Sequence, residues 1–117
     1  MTTRHGLHAL VLLIACALCA PWAQAAALKK GRLFPKVRQE LIASGWQPVR
    51  LRAEKRDSVI GVETELLREG VLEVESCAMD KAVCLFNYRR KGRCLPVITR
   101  GEAYAGMRVQ GWRGGCS

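Results

Sequence analysis

The fold is decided by residues 71–100, which read VLEVESCAMDKAVCLFNYRRKGRCLPVITR. Apolar and polar side chains alternate here with the period of two that is typical of strands. Residues 78–81 and 91–92 interrupt the alternation, and both breaks are short enough for antiparallel hairpins. Together with a further run at 107–114, they predict a four-stranded antiparallel meander over 71–77, 82–90, 93–100 and 107–114.

The alternation also predicts which face of the sheet the rest of the chain covers. We expect the covered face to carry one apolar set, namely Leu72, Val74, Val83, Leu85, Leu95 and Val97. The opposite face is then expected to carry Cys77, Cys84, Phe86, Tyr88, Cys94 and Ile98.

A helical period precedes the strands. A first helix is predicted to begin near Pro35, to place Val37 and Leu41 on one face with Leu33, and to end at Gly45. A second helix is predicted from residues 57–58 to 70, although a strand through residues 59–62 is an alternative. The fold class is therefore α+β, with two N-terminal helices packed on a four-stranded antiparallel sheet over residues 33–117.

The first 25 residues have the three parts of a secretory signal peptide, which are a basic start, an apolar run and a small-residue cleavage site ending at Ala25. The segment Leu13-Ile14-Ala15-Cys16 also resembles a bacterial lipobox, so lipidation at Cys16 is the alternative. Residues 26–32 are interpreted as a flexible basic lead-in. The sequence thus predicts a periplasmic or secreted protein.

Cleavage after residue 25 of the 117 would leave 92 residues with a net charge of +8 in place of +9. It would also remove His5 and His8, the two histidines of the chain, so histidine-based nucleophile pairs and metal sites are excluded. We predict no metal and no cofactor. A carboxylate pair such as Glu73 and Glu75 is the arrangement that an enzyme would need, but this spacing is common in strands, and we predict no catalytic residue.

Four cysteines would remain in the mature chain, at 77, 84, 94 and 116. Their spacing lacks the short paired knuckles of zinc sites, and an even count in an exported chain favours disulfides. Cys77 and Cys84 flank the first hairpin turn, whereas Cys94 begins the third strand and Cys116 follows the fourth. We predict the pairs Cys77–Cys84 and Cys94–Cys116.

Basic residues occur in clusters, while half of the ten acids gather between residues 63 and 75. The candidate binding residues are Arg50, Arg52, Tyr88, Arg89, Arg90, Lys91 and Arg93. An anionic protein surface, a lipopolysaccharide or an anionic lipid would suit this charge. A solvated basic surface without a ligand is the simpler interpretation. Nucleic acid is a poor candidate because the chain has few aromatic residues and no recognisable nucleic-acid motif.

The motifs Gly45-Trp46-Gln47-Pro48, Glu73-Val74-Glu75-Ser76-Cys77 and Cys84-Leu85-Phe86 occur within a helix, loop, helix and meander order. This arrangement resembles one repeat of the beta-lactamase inhibitor protein fold, and it is similar to small exported proteins of Gram-negative bacteria. The resemblance covers residues 33–113. It implies a protein-binding module or inhibitor and not an enzyme, although the family has two tandem repeats where this chain has room for one, which makes a homodimer a further expectation.

Two functions follow from the sequence. The first is a periplasmic protein-binding module, such as an inhibitor, an immunity protein or an envelope accessory protein. The second is an envelope-associated structural protein that binds an anionic surface through its basic patches.

Overall fold

The computed structural model describes residues 28–56 and 59–116. The predicted signal peptide, the lipobox and the capping residues 57–58 lie outside these ranges. The described elements are α1 (Phe34–Ala43), β1 (Gln47–Pro48), α2 (Ala53–Arg56), α3 (Val62–Arg68), β2 (Val74–Cys77), β3 (Val83–Arg90), β4 (Arg93–Arg100), a 3-10 turn (Tyr104–Gly106) and β5 (Arg108–Trp112).

The α+β class is confirmed, but the predicted count of elements is wrong in detail. The antiparallel sheet has five strands instead of four, because the two-residue β1 pairs with β3. The single turn α2 lies between the two expected helices, and the second of these begins at Val62, several residues after the predicted start. Residues 59–60 are outside the strands, so the alternative strand through residues 59–62 is not formed.

Both longer helices end in the way that their glycines predict. Gly45 has a φ of +96°, and the N–H groups of Gly45 and Trp46 donate to the carbonyls of Ile42 and Leu41. Gly70, with a φ of +84°, ends α3 with the same pair of hydrogen bonds. This is the Schellman arrangement, which satisfies the last carbonyls of a helix and requires a left-handed residue that glycine adopts without strain.

The sheet is built on β3, which pairs with β4 on one side and with two short strands on the other. Pro48 of β1 lies opposite Tyr88, and Val74 of β2 lies opposite Phe86, so β1 and β2 follow one another along the same edge of β3. Asn87 lies at their junction, where its carbonyl accepts from the Val49 N–H and its N–H donates to the Glu73 carbonyl. The junction therefore keeps the backbone pairing of β3 continuous.

One face of the sheet, here called the inner face, packs on α1 and α3. Phe34 of α1 meets Phe86 of β3 with ring centroids 4.3 Å apart. The buried core contains Phe34, Val37, Leu41, Leu66, Val71, Val74, Cys84, Phe86, Tyr88, Leu95, Val97, Met107 and Val109. Burial of this apolar set is the main favourable contribution to folding.

The predicted face of β3 is wrong. Cys84, Phe86 and Tyr88 point to the inner face, whereas Val83 and Leu85 belong to the opposite, outer face. The cause is the two-residue turn at 91–92, which places Phe86 directly opposite Val97. Residues directly opposite each other share a face, so burying Val97 also buries Phe86.

In the described part of the basic lead-in, residues 28–32, Gly31 and Arg32 are hydrogen-bonded to the sheet. The N–H of Gly31 donates to the carbonyl of Val109, whose N–H donates to the carbonyl of Arg32. Arg108 adds a side-chain hydrogen bond from Nη1 to the Gly31 carbonyl. These contacts cover part of the edge of β5, which protects unpaired backbone groups from another strand.

Both predicted disulfides are present. Cys77 and Cys84 lie opposite each other on β2 and β3 with Cα atoms 4.0 Å apart, and Cys94 and Cys116 have Cα atoms 4.7 Å apart. Because Cys94 lies opposite Arg89 on β3, its disulfide is on the outer face, while Cys84 is buried on the inner face. The two disulfides therefore support opposite faces of one sheet.

Candidate binding surface

A buried ionic cluster lies beneath the junction of β1 and β2. The carboxylate of Glu73 has no exposed side-chain surface, and Arg38 of α1 donates to it from Nε at 2.6 Å and from Nη2 at 3.1 Å. The hydroxyl of Tyr88 donates to the same carboxylate at 2.6 Å. Such charge-assisted bonds offset the cost of removing the carboxylate from water.

The ionisation of the neighbouring groups reflects this burial. Loss of solvent raises the pKa of Tyr88 well above its ordinary value, and the adjacent Glu73 carboxylate raises it further. The hydrogen bond to Glu73 raises the pKa of Arg38. Burial also raises the pKa of Tyr104, a half-buried residue of the 3-10 turn. The cluster thus holds a charged Arg38 and a neutral Tyr88 at neutral pH.

The carboxylate pair considered for an enzyme is not formed. Glu73 is buried on the inner face, whereas Glu75 is exposed and accepts a hydrogen bond from the Asn87 side chain at 3.0 Å. The bulge between Val74 and Ser76 disturbs the alternation at this point. Glu63 also has a structural partner, because its carboxylate accepts a hydrogen bond from the backbone N–H of Cys77.

The turn between β3 and β4 carries most of the predicted binding residues. Arg89, Lys91 and Arg93 are all exposed there. Lys91 has a φ of +49° and Gly92 a φ of +75°, the combination of a type I′ hairpin turn. This turn brings the basic residues of two strands to a single tip, as the sequence predicts.

Arg90 differs from its neighbours because its side chain is held by the end of α1. Its guanidinium lies 5.0 Å from the ring centroid of Trp46, and Nη1 donates to the Ser44 carbonyl at 2.9 Å. A cation over an aromatic ring and a donor at a helix C-terminus are both stabilising. Arg90 therefore fastens the hairpin to the helix.

The remaining predicted binding residues, Tyr88, Arg50 and Arg52, differ in their exposure to solvent. Tyr88 is fully buried, so its ring is not available to a ligand, and its inclusion among the binding residues is corrected. Arg50 and Arg52 are exposed on the segment after β1, and Arg52 makes a loose contact of 3.8 Å with Glu54.

A groove of about 530 Å³ separates the end of α1 from the hairpin tip. Its lining consists of Ser44, Gly45, Gln47, Arg89, Arg90, Lys91 and Gly92. Among these described residues none is acidic. The groove, which we call the hairpin groove, therefore combines space with three positive charges.

The outer face of the sheet carries a second candidate surface. Pairing between β3 and β4 forms an apolar strip, in which the half-buried Leu85 lies beside the half-buried Ile98 and Asn87 lies beside the buried Pro96. Arg89 and Arg100 lie at the two ends of this apolar strip, and both are exposed. No helix among the described elements packs on this face, since the helical contacts to the core come from the inner face.

Nothing in residues 28–56 and 59–116 groups three or more acidic, cysteine or histidine side chains in a way that could hold a metal ion. Within the same residues, no helix has the length and apolar character needed to cross a bilayer.

Comparison with known proteins adds no relative: no family model, no curated protein and no solved structure matches this chain.

The sequence did not identify the Arg38–Glu73–Tyr88 cluster. In the sequence, Glu73 belongs to the acidic group between residues 63 and 75, and its partner Arg38 is 35 residues away in the chain. One signal was present, because Glu73 lies between Leu72 and Val74 in a run that must enter the core. An acid in such a position requires a cation or several donors.

Proposed function

We propose that this protein is a small exported binding module whose outer sheet face docks on another protein with an acidic rim. The observation that carries the proposal is the half-buried pair Leu85 and Ile98, which lie side by side between the exposed Arg89 and Arg100. Protein interfaces commonly have an apolar centre and a polar rim, and arginine is enriched in them.

Charge complementarity specifies the partner. Glu75 is an acidic residue on the outer face, and its carboxylate already accepts a hydrogen bond from the Asn87 side chain. Arginines at both ends of the strip would meet carboxylates with bidentate hydrogen bonds, which give geometric specificity as well as attraction. An acidic partner would also be steered toward a chain whose net charge is strongly positive.

The compartment follows from the disulfides and the N-terminal sequence. Two disulfides persist in oxidising environments such as the periplasm or the extracellular space. Together with the signal-peptide pattern of residues 1–25, they support export. A partner in the cell envelope or outside the cell is therefore proposed.

The proposal is tested by site-specific photo-crosslinking of the full chain expressed in its own compartment. A photoreactive residue is placed at Leu85 or Ile98 on the outer face, and at the exposed Gln39 of α1 as the matched control. We expect a discrete, saturable protein adduct from the outer face and none from Gln39. Equal adducts from both positions, or none from the outer face, would contradict the proposal.

A second measurement tests the charge argument. The captured partner, once purified, should bind the oxidised protein with an affinity that falls as salt is added. Arg100→Glu should weaken this binding about tenfold or more, because it replaces attraction with like-charge repulsion at the rim. Lys36→Glu, which makes the same charge change on α1, is the control and should leave affinity largely unchanged.

The alternative function, binding to an anionic envelope surface, is favoured by one observation, the cluster of cations around the hairpin groove. It predicts co-sedimentation with anionic vesicles that depends on the hairpin tip and not on Leu85. The photo-crosslinking experiment separates the two functions because a lipid surface leaves no protein adduct.

A further inference from the structure

The hairpin groove borders the outer face and shares Arg89 with it, but its other lining residues come from the end of α1 and the turn, and its chemistry indicates a ligand of its own. Arg89 and Lys91 are exposed at its lining, and Arg90 forms the wall on the side of α1. Its volume of about 530 Å³ is within the range of small-molecule sites. We propose that this groove binds a phosphate group, held by Arg89 and Lys91.

The wall of the groove formed by Arg90 has a fixed position. Arg90 is held between the Trp46 ring and the Ser44 carbonyl, so its charge stays beside the groove and does not move freely in solvent. A preorganised charge loses little conformational entropy when a ligand arrives. The Ser44 carbonyl, which would otherwise repel an anion, is already engaged by Arg90.

Lys91 has a backbone conformation that is unusual for lysine. Its φ of +49° is one that Asn, Asp and Gly adopt readily at this position of a type I′ turn and that lysine rarely adopts. A strained lysine at the tip of a hairpin and at the mouth of a groove is the kind of outlier that points to a function for its side chain. That side chain is exposed and adds its positive charge to the groove.

The charge density distinguishes phosphate from a single carboxylate. A phosphate monoester carries close to two negative charges and several acceptor oxygens. An arginine guanidinium can donate two parallel hydrogen bonds to two phosphate oxygens, and a lysine ammonium adds a compact positive charge. Three cations around one groove therefore suit a phosphate better than a carboxylate, which a single arginine can satisfy.

The test uses the oxidised mature protein and two variants. Lys91→Asn removes one charge from the groove and supplies a residue that the turn accommodates well, so the variant should fold at least as readily as the wild type. Lys36→Gln removes the same charge from an exposed position on α1 and is the matched control. Arg89→Gln tests the second ligand group.

Binding is measured with inorganic phosphate through the amide resonances of Gly45 and Gly92, which line the groove. We expect saturable shifts at both glycines, with the dissociation constant raised about fivefold to tenfold by Lys91→Asn or Arg89→Gln and unchanged by Lys36→Gln. Shifts that do not saturate, or that Lys36→Gln reduces equally, would overturn the proposal.

A second arm identifies the source of the phosphate. Vesicles of phosphatidic acid and phosphatidylcholine, which present a phosphate monoester, are compared with vesicles of phosphatidylcholine alone. Co-sedimentation with the anionic vesicles that Lys91→Asn weakens assigns a lipid headgroup, and binding to inorganic phosphate without vesicle binding assigns a free phosphate. A glutamate-rich peptide that binds more tightly than phosphate at the same glycines would overturn the assignment in favour of an acidic protein.

This site can fail independently of the proposed function. Arg89 borders both surfaces, so Lys91→Asn with the Gly45 and Gly92 readout decides the phosphate site, whereas Leu85, Ile98 and Arg100 decide the protein-partner proposal. Loss of phosphate binding with an intact protein adduct would remove the groove and leave the outer-face proposal standing.

Discussion

Tyr88 and Arg89 are adjacent in β3, yet they belong to two regions that treat charge in opposite ways. On the inner face, Tyr88 and Arg38 enclose the Glu73 carboxylate, and each of its charges is matched. At the hairpin tip, Arg89, Lys91 and Arg93 are exposed and crowd like charges together. The alternation of a strand is enough to separate them.

This difference shows that the charges that stabilise the fold and the charges that can bind a ligand lie in separate regions. A buried charge must be paired, because an unpaired one is costly in a medium that cannot solvate it. An exposed charge contributes little to folding, because water and salt screen it, and it remains available to a ligand. The inner cluster therefore specifies the fold, and the hairpin tip is free to bind.

The largest effect is expected from Arg38→Met. This change leaves the buried Glu73 carboxylate without its cation, and we expect the free energy of unfolding to fall by about 3–5 kcal/mol. Urea denaturation measures it. Arg32→Met is the matched control, because its partner Glu40 is 45% exposed, and it should cost less than about 1 kcal/mol.

A second variant makes the comparison sharper. Adding Glu73→Gln to Arg38→Met removes the uncompensated charge while keeping an acceptor for Tyr88. Part of the lost stability should return. If the single and double variants were equally unstable, packing of Arg38 and not its charge would explain the loss.

A smaller effect is expected from Tyr88→Phe, which removes one hydrogen bond to the carboxylate and should cost about 1.5–3 kcal/mol at neutral pH. The pKa of Tyr88 is raised in the folded protein, so the folded state keeps its proton after the unfolded state has lost it. Stability from this group is therefore present below pH 10 and declines as the pH rises above about 10.

Urea denaturation at pH 8 and near pH 11 checks this prediction. The stability gap between wild type and Tyr88→Phe should narrow at the higher pH. A gap that stays constant would mean that the Tyr88 hydroxyl is not held protonated by its burial next to Glu73.

The smallest effect is expected at the tip itself. Lys91→Asn should raise the free energy of unfolding by about 0.5–1 kcal/mol, because asparagine tolerates the left-handed conformation better than lysine. Lys36→Asn, in the first turn of α1, should not raise it, because Lys36 has a helical backbone with no left-handed strain for asparagine to relieve. Destabilisation by Lys91→Asn would show that Lys91 is not strained.

Local signals in the sequence were reliable where a single segment decides its own structure. The glycine stops at 45 and 70 are confirmed, and the limits of β4 are those predicted. The disulfide pairs could also be predicted, because Cys77 and Cys84 flank a hairpin turn and Cys94 and Cys116 mark the ends of neighbouring strands.

The predictions were wrong where the structure of one segment depends on its pairing with a distant segment. The strand β1 is two residues long and contains Pro48, so it has no periodic signal and exists only through pairing with β3. The face of β3 could have been predicted from the two-residue turn at 91–92, but alternation within β3 alone is ambiguous because both of its faces carry apolar side chains.

The sequence by itself therefore determined the α+β class, the two disulfide pairs and the basic hairpin tip. These features depend on periodicity, turn residues and spacing along one short stretch of chain. Only the tertiary structure decided that Glu73 is buried, that Arg90 is held by Trp46 and that the outer face combines an apolar strip with arginines. Each of these depends on partners from separate elements, and a residue's environment there is set by packing across the sheet and not by its neighbours in the chain.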